Sequence, residues 1–206
     1  LRDLAAPTAN SFVNGPFGSN LLSSELQESG VPVIYVQDVK RDGFRKISFA
    51  HVTEHKANEL AFCNVYQGDV VVAKVGTPPG DAAVYQQPQR AIITQDVIRI
   101  RPAPDVASEY LAGLLNSSVG SRVIRRIMIE GTRGRVSLTD FKRAQVSKPP
   151  LSEQKLFAIQ IIHILAMIDT LNHELQKQRE IKAGLMHDLL AGRVCVPIDE
   201  RKKVMA

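Results

Sequence analysis

Between Ser152 and Leu190 the chain spaces its apolar residues alternately four and three apart, directly behind the pair Pro149-Pro150. The stripe runs through Phe157, Ile161, Ile164, Ile168, Leu171, Leu175, Gln178, Lys182, Leu185 and Leu189, and Gln178 and Lys182 are its only polar members. A heptad-like stripe of this kind belongs to a helix that buries one seam against another helix. Proline disfavours helix in its predecessor and cannot continue a strand ladder, so Pro149-Pro150 closes the region before it. Ser152 is expected as N-cap, with Glu153 placed well against the helix dipole and Gly192 as the C-terminal stop. A continuous helix from Glu153 to Leu190 would be about 57 Å long at about 1.5 Å per residue. Such a helix outreaches a small domain. Its seam is expected to meet a second helix, in another copy of the chain or in a further segment, with docking on its own domain as the alternative. Polar seam residues such as Gln178 and Lys182 can fix register and partner number.

Residues 1–150 read as one compact mixed domain, 151–194 as the long helix and 195–206 as a tail. The fold class is therefore α+β: a mixed α/β domain followed by a long C-terminal α-helix of coiled-coil type. β-like runs rich in Val and Ile recur at Pro32–Val36, Val70–Val75, Ala91–Thr94 and Val97–Arg101. In the last, alternation predicts a half-buried strand with Arg99 and Arg101 facing out. Ala107–Leu115 and Val119–Ile129 carry helical spacing, and Gly131 is expected to stop the second helix. With 44% hydrophobic and 23% charged residues the chain is not a solvated, disordered polymer. No consecutive apolar run approaches bilayer-spanning length, so no membrane association is expected. Leu1–Asn10 holds Arg2 and Asp3 and no apolar h-region, so no signal peptide is expected and the expected location is cytoplasmic. The first residue is Leu rather than Met, which points to a piece of something longer. Cys63 and Cys195, far apart, fit free thiols better than a disulfide or a zinc site.

The net charge of +5 is unevenly spread. Between Arg122 and Lys148 lie eight basic residues and two acids, Glu130 and Asp140, an excess of six positive charges that points to a phosphate-facing surface. The catalytic signatures fail. There is no Walker loop, no dinucleotide-binding glycine fingerprint and no nucleophile elbow. Lys148-Pro149-Pro150-Leu151 lacks the amide and the stacking ring of a DNA aminomethyltransferase motif. Pro104-Asp105 and Glu180-Ile181-Lys182 are too far apart to stand for a nuclease site. His51 and His55 would share a face only on a helix, and Asp69 after Gly68 reads as a turn residue. Base reading asks for other groups: Arg and Lys suit guanine edges, Asn and Gln adenine. Gly131-Thr132-Arg133-Gly134-Arg135 is the best such segment, with Thr132, Arg133 and Arg135 as candidate DNA contacts. Lys40, Arg41, Arg45 and Lys46 surround an expected Asp42-Gly43 turn. Gln87 and Arg90 fall in a polar loop, and Arg125, Arg126, Lys142 and Arg143 complete the candidates. Phosphate contacts position, and base-edge contacts specify.

Six segments in order resemble the specificity subunit family of type I restriction–modification enzymes. They are Gly15–Leu21, Val33–Val39 with its Asp38-Val39 ending, Gly68-Asp69-Val70-Val71 followed by Gly76, Gly134–Phe141, Pro149–Gln154, and Gly184–Val194. The resemblance implies a target recognition domain followed by a conserved spacer helix. It implies double-stranded DNA, modification (methyltransferase) subunits and a restriction motor–nuclease subunit as partners. It further implies that S-adenosylmethionine, ATP and Mg are used by those partner subunits, with no cofactor bound by this chain and no catalysis by it. A full subunit of that family carries two recognition domains and two spacers. One of each here implies a fragment, or a half-length subunit that pairs through its helix and reads one half of a bipartite site. The alternatives are the DNA-binding fragment of a fused modification–restriction enzyme, and a coiled-coil adaptor with an incidental basic domain.

Overall fold

A computed structural model describes residues 1–129, 131 and 134–194 of the chain. Among the described residues there are thirteen short strands: β1 (Phe12–Asn14), β2 (Val31–Ile34), β3 (Val39–Lys40), β4 (Gly43–Phe44), β5 (His51–Val52), β6 (Asn64–Val65), β7 (Val70–Ala73), β8 (Val75–Gly76), β9 (Ala82–Val84), β10 (Ala91–Ile93), β11 (Val97–Ile100), β12 (Met128–Ile129) and β13 (Gly134–Val136). Five α-helices accompany them: α1 (Glu54–Glu59), α2 (Ser108–Asn116), α3 (Ser118–Ile127), α4 (Leu138–Arg143) and α5 (Leu151–Leu190). The fold is mixed α/β with a long C-terminal helix, as the sequence predicts.

The main sheet has the order β1-β11-β7-β9 and is antiparallel throughout. A second sheet, β5-β2-β10-β6, contains the parallel pair β2–β10. Each face of the main sheet is covered by its own core. Val70, Val72, Ile98 and Ile100 join Leu111, Leu115, Ile124 and Phe141 of α2, α3 and α4. Val71, Ala73, Ala83 and Val97 join Val33, Ile34, Ile92 and Ile93 of the second sheet. A sheet covered on both sides reads as continuous Val and Ile rather than as alternation.

This layering corrects the sequence reading of β11. All four of its residues are buried, and Arg99 is 2% exposed instead of facing out. The arginine projects from a central strand toward the second core, on the same side as Val97. Its Nη2 donates to the carbonyls of Asn10 and, at 2.9 Å, Phe62. Its Nη1 stands 3.8 Å from Asp69, which is itself buried. Arg101 grips the same carboxylate in two places, Nε to Oδ1 at 3.0 Å and Nη2 to Oδ2 at 3.1 Å. Asp69 also accepts the Tyr66 amide at 3.0 Å. It is thus a turn residue, as expected, and in addition the counter-charge of two arginines. Burial pulls the Arg99 guanidinium below its usual value while Asp69 pushes it back up. The Asp69 hydrogen bond raises that of Arg101.

The helices are capped by residues the sequence offers. Ser117 Oγ accepts the Gly120 amide at 3.1 Å and Ser137 Oγ the Asp140 amide at 3.0 Å. α3 ends at Ile127, before Gly131, because its following residues enter strand β12. α5 starts at Leu151, two residues before the start that a Ser152 cap predicts, with Pro150 O accepting the Glu153 and Gln154 amides at 3.0 and 3.1 Å. Gly192 closes it at φ +67°, with Arg193 N bonded to Asp188 O and Gly192 N to Leu189 O, a Schellman ending.

The chain divides into two compact units, Leu1–Ile162 and His163–Ala206. The first turns of α5 therefore belong with the domain, past the expected boundary at Pro150. Gln154, fully buried, accepts the Ala107 amide at 2.9 Å and donates to the carbonyls of Asp105 and Pro149. Phe157 meets Tyr110 edge-on at 5.7 Å, and Ile161 lies over Gly113, where a Cβ would sit 2.1 Å from its Cδ1. The first two seam residues thus pack on α2. In the second unit, described to Val194, Ile164, Ile168, Leu171, Leu175, Leu185 and Leu189 are all at least 40% exposed. Exposed Leu156, Ile159, Ile162 and Met167 add apolar surface off the seam.

By length and composition alone α5 is apolar enough to cross a membrane, an 18-residue window in it reaching a mean hydropathy of 1.4. Gln160, His163 and Asp169 break every consecutive apolar run but barely lower an average.

Candidate nucleic-acid interface

The β3–β4 ribbon turns through Arg41 and Asp42, pairing Lys40 with Gly43, whose φ of +137° suits glycine. Its tip borders an open groove of about 930 Å³, whose lining includes Arg41, Thr77, Pro78, Arg125, Gly131 and Gly134. A second groove of about 500 Å³ takes in Lys40 and Tyr35 and shares Gly76, Thr77, Pro78 and Asp81 with the first. Arg125 comes from the last turn of α3, whose Arg122, Arg125 and Arg126 are all exposed while Ile124 is buried. Arg135 is exposed on β13, the middle strand of the small sheet β12-β13-β8, which pairs Gly134 with Gly76 at the groove. Two of the candidate arginines, Arg41 of the hairpin and Arg125 of α3, therefore line one groove, and Arg135 is exposed on the strand whose Gly134 also lines it.

The other candidates lie apart or are already engaged. Thr132 and Arg133 lie outside the described residues. Arg45 is exposed and paired with Asp42 at 2.7 Å. Lys46 is half-buried, donating to Val33 O at 2.7 Å and Ser48 Oγ at 2.8 Å, and burial lowers its ammonium below the usual value while Asp38 opposes the shift. Its neighbour Asp38 is fully buried and accepts the Ile47 and Ser48 amides at 2.8 Å, so this part of the basic group fastens a loop. Arg90 pairs with Glu54, Gln87 is exposed on the same loop, and neither is among the groove-lining residues. Lys142 lies 5.6 Å from the Phe12 ring centroid and lines a different groove with Lys148, while Arg143 is exposed. His51 sits on β5 and His55 on α1, so they do not share a helix face.

Two features of the site have no plain sequence signal. Phe17 is 62% exposed with Lys74 Nζ 5.6 Å from its ring centroid, placing an aromatic and a cation together near β8. Asn116, the last residue of α2, hydrogen-bonds the Arg41 carbonyl across a separation no motif marks.

Electrostatically the groove carries Arg41 and Arg125 against Asp81, and its lining includes Gly76, Gly131 and Gly134. Such a surface can attract a polyanion and present guanidinium forks to acceptor pairs.

The fold is similar to that of a type I restriction–modification specificity subunit. An HsdS subunit from Thermoanaerobacter tengcongensis matches 88% of the chain at TM-score 0.54 and 15% identity, and a chain in a solved assembly of a type I R-M system matches 85% at TM-score 0.60 and 17% identity. Among curated proteins, the MjaX type I restriction enzyme specificity subunit of Methanocaldococcus jannaschii is 21% identical over 165 residues, 78% of the chain. The chain spans 39% of that relative, and 40% and 43% of the two structural neighbours. No family model matches the chain. The resemblance read from the six segments is thus found again in a curated sequence and in two folds.

Proposed function

We propose that the chain is a DNA-recognition unit of a type I-like restriction–modification complex. In this reading it reads one half of a bipartite site through the groove lined by Arg41 and Arg125, with Arg135 exposed on the adjoining strand β13. The observation that carries the reading is the convergence of arginines from a hairpin tip and an amphipathic helix on one groove, with a third on the neighbouring strand. α5 is the spacer: its exposed seam pairs with the spacer of a second recognition unit and holds the modification subunits. Two such chains related by a two-fold axis would restore the two domains and two helices implied by coverage of about two-fifths of each relative. The polar residues Lys177, Gln178, Arg179, Glu180 and Lys182 in the second half of α5 favour a helix partner over lipid along that stretch. The protein then works in the cytoplasm, where the DNA is. Methyl transfer and cleavage belong to partner subunits using S-adenosylmethionine, ATP and Mg.

The test is to express the whole gene with its neighbouring modification subunit and map methylated adenines across the host genome. A split palindrome supports DNA reading and two-fold pairing together. An asymmetric split site supports the reading but removes the pairing. An assembled complex that methylates no defined motif overturns the function.

A further inference from the structure

The tip of the β3–β4 ribbon is held by a residue belonging to neither strand. Asn116 Oδ1 accepts the Ala82 amide at 2.9 Å, and its Nδ2 donates to the carbonyls of Ala82 at 2.8 Å and Arg41 at 3.1 Å. Asp81, the residue before Ala82, takes Arg41 Nε at 2.7 Å. The side chain of Arg41 is therefore tied to Asp81, just before β9, and its backbone to Asn116, which is itself fastened to Ala82 of β9. Val39 and Phe44 anchor the base of the ribbon in the second core, while Arg41 and Asp42 at its tip are exposed, so these bonds are what restrain the tip. Attraction to phosphate tolerates such motion, whereas reading a base edge does not. Nε is occupied, and among the described residues the two terminal nitrogens of Arg41 make no hydrogen bond within the protein. They remain free at the groove shared with Arg125 and Gly134.

We propose that Asn116 is a positioning residue for sequence specificity: with Asp81 it presets the Arg41 guanidinium so that this arginine reads a base edge of duplex DNA. The proposal rests on the DNA-reading function above. It is tested with the full chain in its complex with the modification subunit, by selection from a random-sequence duplex pool. Affinities for the enriched duplex and for a scrambled duplex are then compared across salt concentrations. Asn116→Ala is expected to lower the preference for the enriched duplex about tenfold. The salt dependence should stay as in wild type, because no phosphate contact is removed. In an Arg41→Ala background, Asn116→Ala should add nothing. The proposal is overturned if Asn116→Ala keeps the wild-type preference, weakens both duplexes equally, or acts as strongly without Arg41. Should Asn116→Ala fail to fold, Asp81→Ala, which frees Nε alone, must show the same selective loss or the proposal falls. A wild-type complex that enriches no sequence sinks the DNA reading itself, whereas enrichment unmoved by these variants sinks only the role of Asn116.

Discussion

Replacing Asp69 with Asn removes one charge from the interior while keeping side-chain shape. In the native fold that carboxylate faces Arg99, 2% exposed, at 3.8 Å and takes two bonds from Arg101. Arg99 Nε and Nη1 have no hydrogen-bond partner, so Asp69 is the counter-charge nearest to them. Removing one partner of a buried pair costs about 3–5 kcal/mol, because the other charge is left uncompensated. Arg99 Nη2 keeps the carbonyls of Asn10 and Phe62, and Arg101 is partly solvated, which places the cost near the lower end, about 3 kcal/mol. With urea m-values of about 1–3 kcal/mol/M the unfolding midpoint should fall by about 1–3 M. Tyrosine fluorescence is the suitable signal: the chain has no Trp, and Tyr35, Tyr66, Tyr85 and Tyr110 all lie within Leu1–Ile162. Adding Arg99→Met to Asp69→Asn should recover part of the loss by deleting the stranded charge. A midpoint shift below about 0.3 M, or a double variant no more stable than Asp69→Asn, would refute the electrostatic account.

Gln154→Leu leaves the Ala107 amide and the Asp105 and Pro149 carbonyls without their partner, and should cost about 1–3 kcal/mol in the same urea assay. Gly113→Ala should stay within about 1 kcal/mol of wild type, since the Ile161 methyl can turn aside and alanine favours the helix; Gly113→Leu should cost about 1–3 kcal/mol by prising α5 from α2. Burial pushes the Cys63 thiol up to about 11 from 9.0, so the folded state holds its proton more tightly than the unfolded one. The resulting stability is whole below pH 9 and drains away as pH rises through 11. Cys63→Ser should flatten that part of the stability–pH curve, and native Cys63 should resist alkylation at neutral pH until the domain unfolds.

The long helix was legible because its period, its Pro-Pro entry and its Gly192 exit are all local signals. So were the Val- and Ile-rich strands, each found within a residue or two. What escaped was everything set by the second core. Nothing local in Val97–Ile100 says that both faces of its sheet are covered, so alternation put Arg99 in solvent. The split of basic residues between groove and loop also depends on distant partners: Lys46 is taken by Val33 and Ser48, while Arg41 is tied back by Asp81 and Asn116. The segments that carry the family resemblance prove to be fold-bearing. Ser137 caps α4, Phe141 packs edge-on against Phe12, Asp69 neutralises two arginines, and Gln154 locks the start of α5.

The register Phe12↔Ile100 has a consequence for how the protein is made. β1 has no partner until β11 has left the ribosome, and the core beneath them still waits for Val136 and Phe141. A nascent chain therefore carries open strand edges from the emergence of β1 to that of β11, the state in which non-local β topologies are slow and exposed to misassociation. α5 follows β11, and its Gln154 and Phe157 complete the packing against Ala107 and Tyr110. A circular permutant that puts α5 ahead of β1 would expose the apolar helix while those strand edges are still unpaired.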